Sequence, residues 1–348
     1  MRDRESWKRI FKKGIIVREG NIFIITPIVP FPFLSLSLLL QINIFWLNKF
    51  QVYVVNYLKK RLQIKEVVLW INHPYFSATL VNQIQNKLFC YDLCDDYNAK
   101  EKDKTSIVAR LIKKNDDYLT KSADIMSVSS KKLFQDRCSR NSNILRVPNG
   151  VDLGFFKETN FLNNEPTDLK HVPRPRLIYV GNISPSIDLE LLQWIDRNHP
   201  EWSIVMIGPV HGKMFTKELK KIKSVYLIGV KPYEETIAYI ELSDVAVIPY
   251  LKSSWAIAGD SIKIYNFLAS GKPVVSTEIG GVENFSDAIF VGKDHKGFVK
   301  MIELALNETR ENCEHRKKIQ YEIVKEHTWR KRAEDIYNRM MTQLQSQK

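Results

Sequence analysis

Cysteines are scarce in this sequence and follow no recognisable pattern. Four occur in 348 residues, at positions 90, 94, 138 and 313, and none forms the C-x-x-C pair typical of zinc sites and redox motifs. A disulfide-stapled secreted scaffold is excluded, because such scaffolds are short and dense in cysteine. We therefore expect a reducing compartment, with Cys90 and Cys94 packed as small apolar residues.

An unbroken membrane-spanning run is also missing. Residues 20–48 carry no charge, but a span needs about 20 continuous apolar residues in one helix, and Pro27, Pro30 and Pro32 interrupt it. We predict a buried strand over residues 21–26, a proline loop, and then a helix over residues 33–46. The charged first 13 residues do not resemble a signal peptide. The expected location is cytoplasmic, with peripheral contact at the inner face of the membrane.

Acidic residues are too few in the first half of the chain to balance the basic ones. Residues 1–165 carry 26 Lys and Arg against 16 Asp and Glu, a net +10 of the chain's +13. An anionic partner would explain this excess of basic residues, and it could be a phospholipid surface, a lipid-diphosphate acceptor or nucleic acid. The alternative explanation is ordinary surface charge exposed to solvent. Nucleic acid is not predicted as a partner, because no interleaved aromatic pattern or known binding motif accompanies the charge.

Short apolar, β-branched runs alternate with longer helical patterns along the whole chain. This alternation predicts βαβ units with parallel sheets, and a polar stretch over residues 157–174 divides it into two doubly wound domains. We place the domains at residues 1–165 and 170–327. The strands are predicted at residues 67–71, 88–93, 125–129 and 144–148, and then at 176–181, 202–208, 225–229, 245–250, 273–277 and 289–292.

Five motifs give the sequence a family resemblance. They read YDLCDDY (91–97), PNGVD (148–152), VGNISPSIDLELL (180–192), GVKPYEE (229–235) and SIKIYNFLASGKPVVST (261–277). In this order and spacing they resemble the GT-B glycosyltransferases, and within them the family-four-like enzymes of teichuronic acid and exopolysaccharide synthesis. The paired aspartates of the first motif are also similar to those of the xanthan glucuronosyltransferase.

The resemblance implies two Rossmann-like domains that face each other across a cleft. The first domain would hold the acceptor and the second the nucleotide sugar, with UDP as the expected nucleotide. A last helix, at about residues 328–345, would pack back onto the first domain. Relatives begin with a further strand–helix–strand unit before the segment that corresponds to residues 7–11, so the first domain is expected to lack its opening strand–helix unit.

The donor diphosphate is expected at the start of the helix over residues 262–270. A helix N-terminus offers unpaired N–H groups and a positive dipole to a phosphate, and Lys263 adds a full charge there. Ser261 either caps this helix or bonds a phosphate. Gly181, at the end of a strand, lets backbone amides approach the phosphate. The resemblance adds Asp260 and Asn182 to the donor site.

The nucleoside end of the donor is expected at three further residues. Many retaining relatives carry two glutamates separated by seven residues, but this sequence has Ala258 and Asn266 there, so retention or inversion stays open. Asn266 can still bond ribose hydroxyls. Lys231 and Tyr233 follow the strand that ends at Gly229, where the family reads the nucleobase.

The acceptor side offers three candidates for the general base. Asp95 and Asp96 follow the strand 88–93, and one of them could deprotonate the acceptor hydroxyl while the other orients it. The alternative is that the pair forms an N-cap and a turn. His73, at another strand end, is a secondary candidate or an ordinary loop histidine. No metal and no cofactor are expected, because GT-B enzymes generally act without a bound metal.

Three functions remain compatible with these residues. The favoured one is a glycosyltransferase that takes a sugar from a nucleotide sugar to a glycan or lipid-linked acceptor by hexosyl transfer. A catalytically degenerate GT-B protein would bind nucleotide or a partner without turnover. A sugar-nucleotide epimerase, which shares the fold, would convert the donor without an acceptor.

Overall fold

The computed structural model describes residues 16–20, 22–25, 37–75, 78–100, 105–157 and 165–346. The described chain opens with an antiparallel hairpin and a helix of 25 residues. Two parallel sheets with their helices follow. The bounds of the opening elements are β1 Ile16–Glu19, β2 Ile22–Ile25 and α1 Ser37–Arg61.

The first parallel sheet has four strands in the order β3-β4-β5-β6. Its central strand β4 is buried along nearly its whole length, as expected for a strand with helices on both faces. The elements of this unit are β3 Val68–Ile71, α2 Ala78–Gln83, β4 Leu88–Leu93, α3 Tyr97–Lys100, α4 Ile107–Ser122, β5 Ile125–Val128, α5 Lys131–Arg137 and β6 Ile144–Arg146.

The second parallel sheet has six strands in the order β12-β11-β10-β7-β8-β9. Its elements are α6 Gly154–Lys157, β7 Arg176–Val180, α7 Leu189–Asn198, β8 Ser203–Ile207, α8 Lys213–Leu219, β9 Val225–Gly229, α9 Tyr233–Glu241, β10 Val245–Ile248, α10 Ser254–Ala258, α11 Ile262–Ala269, β11 Val274–Thr277, a 3₁₀ turn Val282–Asn284, β12 Phe290–Gly292, α12 His295–Leu306, α13 Arg310–Glu326 and α14 Trp329–Ser346.

The strand order reverses between β7 and β10. From β7 the chain winds outward through β8 and β9, then returns to β10 on the other side of β7. In sheets of this kind the loops at the carboxyl ends of the two strands diverge and leave a crevice, where ligands bind. Gly181 follows β7 and Tyr250 follows β10, so both residues lie at this crevice.

Two segments cross between the sheets, and they touch each other. Val151, in the connection from the first sheet to the second, donates its N–H to the carbonyl of His327 at 2.9 Å. The Trp329 N–H in turn donates to the Val151 carbonyl. Beyond this contact α14 returns to the first sheet, where Met340 and Leu344 pack against the buried cluster of Leu88, Cys90 and Ile125.

The structure corrects three details of the sequence prediction. The helix predicted over residues 33–46 continues to Arg61. The strand predicted as buried over residues 21–26 is partly exposed, since Ile22 has an exposed fraction of 66%. The strand β2 pairs with a preceding strand β1 that was not predicted. Within the described ranges, no helix is long and apolar enough to cross a membrane.

Gly150 is expected to be essential to the crossing of the two segments. A Cβ atom there would lie 2.9 Å from the backbone nitrogen of Trp329 and 3.0 Å from the carbonyl carbon of Thr328. Neither is the end of a flexible side chain, so Gly150→Ala should destabilise the fold by about 1–3 kcal/mol, as overpacking does. Thermal unfolding measures the loss. The control is Gly297→Ala in α12, where the nearest atom is a carboxylate oxygen at 3.2 Å. An unchanged melting temperature for Gly150→Ala would contradict this account of the crossing.

Candidate functional site

A cavity of about 250 Å³ opens between the two sheets. The second sheet supplies most of its wall, from the loops around α10 and the first turn of α11, and the first sheet supplies the loop after β4. The lining residues are Cys94, Asp95, Asn149, Tyr250, Trp255, Ala256, Gly259, Asp260, Ser261, Ile262, Lys263 and Ile279. The cavity therefore brings both halves of the chain to one place at the carboxyl ends of the strands.

Lys263 lies in the first turn of α11 at the edge of this cavity. Its ammonium donates to the hydroxyl of Tyr250 at 2.8 Å. The same nitrogen lies 5.3 Å from the ring centroid of Tyr250 and 5.4 Å from that of Tyr179. Two aromatic faces and a hydroxyl thus hold this cation. It takes part in none of the ion pairs found among the described residues.

Gly181 lies directly against this lysine. A Cβ atom at Gly181 would be 2.5 Å from Lys263 Cε and 2.8 Å from its Nζ, and the backbone has a φ of +141°, which side chains rarely adopt. Gly208, at the end of β8, lies directly against Gly181. A Cβ atom at Gly208 would lie 2.0 Å from the Gly181 carbonyl oxygen. Only glycines at both positions allow the backbone and Lys263 to meet.

A smaller pocket of about 30 Å³ is also lined by Lys263. Tyr233 and Asn266 line it as well, and the Tyr233 hydroxyl donates to the Asn266 side-chain oxygen at 3.0 Å. Burial raises the pKa of Tyr233, with smaller contributions from Asp152 and Glu234. Besides Lys263 and Thr236, the polar side chains of this pocket are this phenol and this amide, which suit hydroxyl partners.

Asp260 joins the connection between the two sheets to the loop before α11. One carboxylate oxygen accepts from the Asn149 N–H at 2.7 Å, and both oxygens accept from the Tyr265 hydroxyl at 3.0 Å. The Asn149 side chain donates to the Asp260 carbonyl at 2.6 Å. Burial raises the pKa of Asp260 to about 6, although these hydrogen bonds oppose the shift. The structure thus gives this predicted donor ligand a clamping contact between the linker and the loop before α11.

The remaining candidates for donor binding differ in their hydrogen-bond partners. Ser261 occupies the N-cap position of α11, but its side chain makes no capping hydrogen bond. The ammonium of Lys231 bonds the Asp168 carboxylate at 2.6 Å, and this bond raises the lysine pKa. The backbone carbonyl of Asn182 accepts from the Tyr179 hydroxyl at 2.8 Å. Lys231 is therefore neutralised by a carboxylate, whereas Lys263 is not.

The two acceptor-side aspartates differ in their surroundings. Asp96 accepts from the Ala99 N–H at 2.9 Å and so caps the short helix α3. Asp95 lines the cavity that Lys263 also lines. Cys94 lies beside it and is exposed, so the prediction that it packs as a small apolar residue is wrong, whereas Cys90 is buried as expected. Of the pair, Asp95 is the carboxylate that faces the site.

Three rings form a cluster at the carboxyl ends of β3 and β4. His73, Tyr75 and Tyr97 meet edge to face, with ring centroids 5.5 to 6.3 Å apart. Buried Asn115 on α4 donates to the carbonyl of Pro74 at 2.7 Å and fixes this loop. Burial lowers the pKa of His73, which keeps its imidazole neutral. His73 does not line the cavity that contains Asp95.

Sequence reasoning missed three residues that build the site. Tyr250 and Tyr179 hold Lys263, and Asn149 holds Asp260. Each tyrosine lies at or near the end of an apolar strand. The sequence does not show their contact with Lys263, so it predicts them as ordinary core residues. No three His, Cys, Asp or Glu side chains cluster to form a metal site in the described part of the chain. Metal-independent action stays a prediction of the resemblance.

Comparison with known proteins finds sequence similarity over part of the chain. Residues 174–308 match the family model described as "Glycosyl transferases group 1". A protein of Bacillus subtilis assigned to teichuronic acid biosynthesis as a glycosyltransferase is 25% identical over 225 residues, 61% of this chain. The match spans 55% of that relative's length, so about half of the curated relative is represented.

Solved structures share the fold over most of the chain. Sucrose-phosphate synthase of Thermosynechococcus elongatus superposes with a TM-score of 0.73 at 15% identity, over 97% of this chain and 87% of that one. The Anabaena protein HepE, solved with UDP and glucose, gives a TM-score of 0.64 at 13% identity, over 79% and 77% of the two chains. The expected fold class and the resemblance to GT-B glycosyltransferases are thereby confirmed.

Asp260 should make stability fall as the pH rises. Its pKa is raised from 3.8 to about 6 in the folded chain, so between these values the folded state binds the proton more tightly than the unfolded state. This contribution is present below pH 3.8 and is lost as the pH approaches 6, a change of about 3 kcal/mol. Asp260→Asn removes the titrating group and keeps a side-chain acceptor.

The measurement is thermal unfolding of wild type and Asp260→Asn from pH 4 to pH 7. The stability of wild type relative to the variant should decrease over this interval. Taking the difference removes the effect of His327, whose pKa burial lowers to about 4 and which acts in the opposite direction in both proteins. A difference that is flat with pH would contradict the raised pKa.

Proposed function

We propose that this GT-B chain is a glycosyltransferase that takes a sugar from a nucleotide-sugar donor, with UDP as the nucleotide, to a hydroxyl of a glycan or lipid-linked acceptor. The observation that carries the proposal is Lys263 at the switch point between β7 and β10. Its charge faces a cavity, lies beside glycines of the β7 and β8 loops, and is not neutralised by any carboxylate of the described residues.

The departing diphosphate needs stabilised negative charge. Lys263 offers a full positive charge, and the first turn of α11 offers backbone N–H groups and the positive end of the helix dipole. Because Ser261 forms no capping bond, its hydroxyl adds a further donor at the same place. A diphosphate that binds here gains charge-assisted hydrogen bonds, which are stronger than neutral ones, without breaking an ion pair first.

We infer the position of the nucleoside from the second pocket. Tyr233 and Asn266 line it together with Lys263, whereas Asp95 lines only the larger of these two cavities. An amide oxygen and a phenol suit the two ribose hydroxyls. A donor laid across Lys263 would then have its ribose at this pocket and its sugar in the larger cavity. We accordingly assign donor binding to Lys263, Gly181, Ser261, Tyr233 and Asn266, and a supporting role to Asp260.

The acceptor would enter from the first sheet. Asp95 is the general base that the geometry favours, because it lines the cavity where the donor sugar would lie, and Asp96 caps α3. A carboxylate at this position can accept the hydroxyl proton as the glycosidic bond forms. The ring cluster of His73, Tyr75 and Tyr97 would then flank the acceptor.

The comparisons support the choice of substrates. HepE was solved with UDP and glucose, which favours UDP as the nucleotide here. The Bacillus relative is assigned to teichuronic acid synthesis, which favours a cell-envelope glycan as the acceptor. Four free thiols and a nucleotide substrate favour the cytoplasm as the location.

Lys263→Ala is the first test of the donor site. Removing a charged hydrogen bond should weaken nucleotide binding by about 10- to 100-fold, because such bonds contribute about 1.5–3 kcal/mol. The measurement is thermal shift with UDP, GDP, ADP and their sugar conjugates. At a concentration 100 times Kd, a ligand should stabilise the wild type by about 2.7 kcal/mol. One nucleotide should give a selective shift that is lost in the variant.

The matched control is Lys317→Ala, since Lys317 is an exposed lysine on α13 that pairs with Glu314. It should keep the full shift. Undiminished nucleotide affinity in Lys263→Ala would remove Lys263 from the site. If UDP-sugar binds but no acceptor ever becomes glycosylated, the degenerate protein is favoured, and conversion of the donor sugar without an acceptor would favour the epimerase.

The roles of the two aspartates can be separated by Asp95→Asn and Asp96→Asn. Loss of a general base should lower kcat by about 10²- to 10⁴-fold in Asp95→Asn, with the affinity for the nucleotide unchanged. Asp96→Asn should stay close to wild type, because asparagine caps helices about as well as aspartate. Steady-state kinetics with a glycan acceptor measures both variants. The opposite ranking would exchange the assignments.

A further inference from the structure

The helix α1 has large apolar side chains on its exposed face as well as on its buried face. It buries Leu47 and Val54 together with Asn43 and Asn48. On the opposite face the exposed fractions are 65% for Phe45, 48% for Trp46, 68% for Tyr53 and 42% for Tyr57. The exposed face of a helix in a monomeric domain is normally polar.

These exposed side chains form one continuous stripe, which we call the aromatic stripe. Its positions recur every three or four residues, the spacing that places side chains on one face of a helix. The stripe consists of Ile42, Phe45, Trp46, Lys49, Tyr53, Asn56, Tyr57 and Lys60. At about 1.5 Å per residue, it runs along most of a helix about 38 Å long.

The charges on α1 all have one sign. The helix contains Lys49, Lys59, Lys60 and Arg61 and no acidic residue. The Lys49 ammonium lies 5.8 Å from the Phe45 ring centroid, and the Arg61 guanidinium donates to the Tyr57 hydroxyl at 2.7 Å. Cations are thus interleaved with the aromatic rings of the stripe.

We propose that the aromatic stripe of α1 binds the surface of an anionic lipid bilayer, with the helix lying flat in the interface. Phenylalanine and isoleucine would enter the acyl boundary, tryptophan and tyrosine suit the level of the headgroups, and lysine and arginine reach the phosphates. A second copy of the chain is a poor occupant, because pairing two such faces brings together cations with no carboxylate between them. This inference stands apart from the glycosyltransferase proposal.

The test is flotation with vesicles of phosphatidylcholine alone and of phosphatidylcholine with phosphatidylglycerol. The wild type should bind the anionic vesicles, and raised salt should weaken binding. Phe45→Ser/Trp46→Ser should bind them at least about 10-fold more weakly, because two large apolar groups no longer leave water. Lys49→Gln/Lys60→Gln should lose about fivefold for each lysine.

The matched control is Met214→Ser/Leu304→Ser, which removes two apolar side chains from the second unit with exposed fractions of 71% and 49%. It should bind vesicles like the wild type. Vesicles of brominated lipid should quench part of the tryptophan fluorescence, and Trp46→Phe should lose that part while still binding. This readout shows that the stripe itself reaches the lipid.

Three outcomes would overturn the inference. In the first, the wild type fails to float with anionic vesicles. In the second, Phe45→Ser/Trp46→Ser floats as well as the wild type while its circular dichroism is unchanged. In the third, the wild type binds no lipid but forms a dimer that this variant abolishes, which would show that the aromatic stripe contacts a second copy of the chain. Nucleotide binding by Phe45→Ser/Trp46→Ser should stay intact, so a failure here leaves the donor-site proposal standing.

Discussion

The contact between the two crossing segments sets the geometry on which the site depends. Val151 bonds His327 and Trp329 through backbone groups, so the outgoing and returning chains are fixed against each other. Asp260 then ties the outgoing chain to the loop before α11 through Asn149. A further buried hydrogen bond joins the two halves, because the Ser130 hydroxyl donates to the Ala258 carbonyl at 2.6 Å. Together these contacts keep Asp95 of the first half and Lys263 of the second half at one cavity.

Three lysines of the second sheet and its loops differ in what holds their charge. Lys231 and Lys252 each bond a carboxylate, and such exposed pairs contribute little beyond local order. Lys263 instead bonds a tyrosine hydroxyl between two aromatic rings, which orient the ammonium without cancelling its charge. A fixed cation of this kind is preorganised for an anion, because little rearrangement is needed when the anion arrives.

The sequence predicted the sheets better than the contacts between them. The bounds of β4 and β9 agree with the structure to the residue, because apolar runs and turn residues mark both ends of each strand. The helix end at Trp46 was wrong, since the aromatic stripe beyond it is not an amphipathic pattern of the usual kind. Tyr250 and Asn149 could not be found, because their partners lie 13 and 111 positions away in the chain. The positions of Lys263 and Gly181 at the ends of a helix and a strand could be predicted from the apolar pattern, whereas their role in donor binding stays a prediction.

Close contacts between Gly208 and Gly181, and between Gly181 and Lys263, limit which residues can occupy these positions. The Gly181 carbonyl leaves no room for a methyl group on Gly208, and the Lys263 side chain leaves none for a methyl group on Gly181. A larger residue at Gly208 would push the β7 loop into the lysine, and a larger residue at Gly181 would push the lysine off its tyrosines. No single replacement at one glycine is repaired by a change at the other. The position of the Lys263 ammonium is therefore set by the absence of two side chains as much as by the tyrosines that contact it.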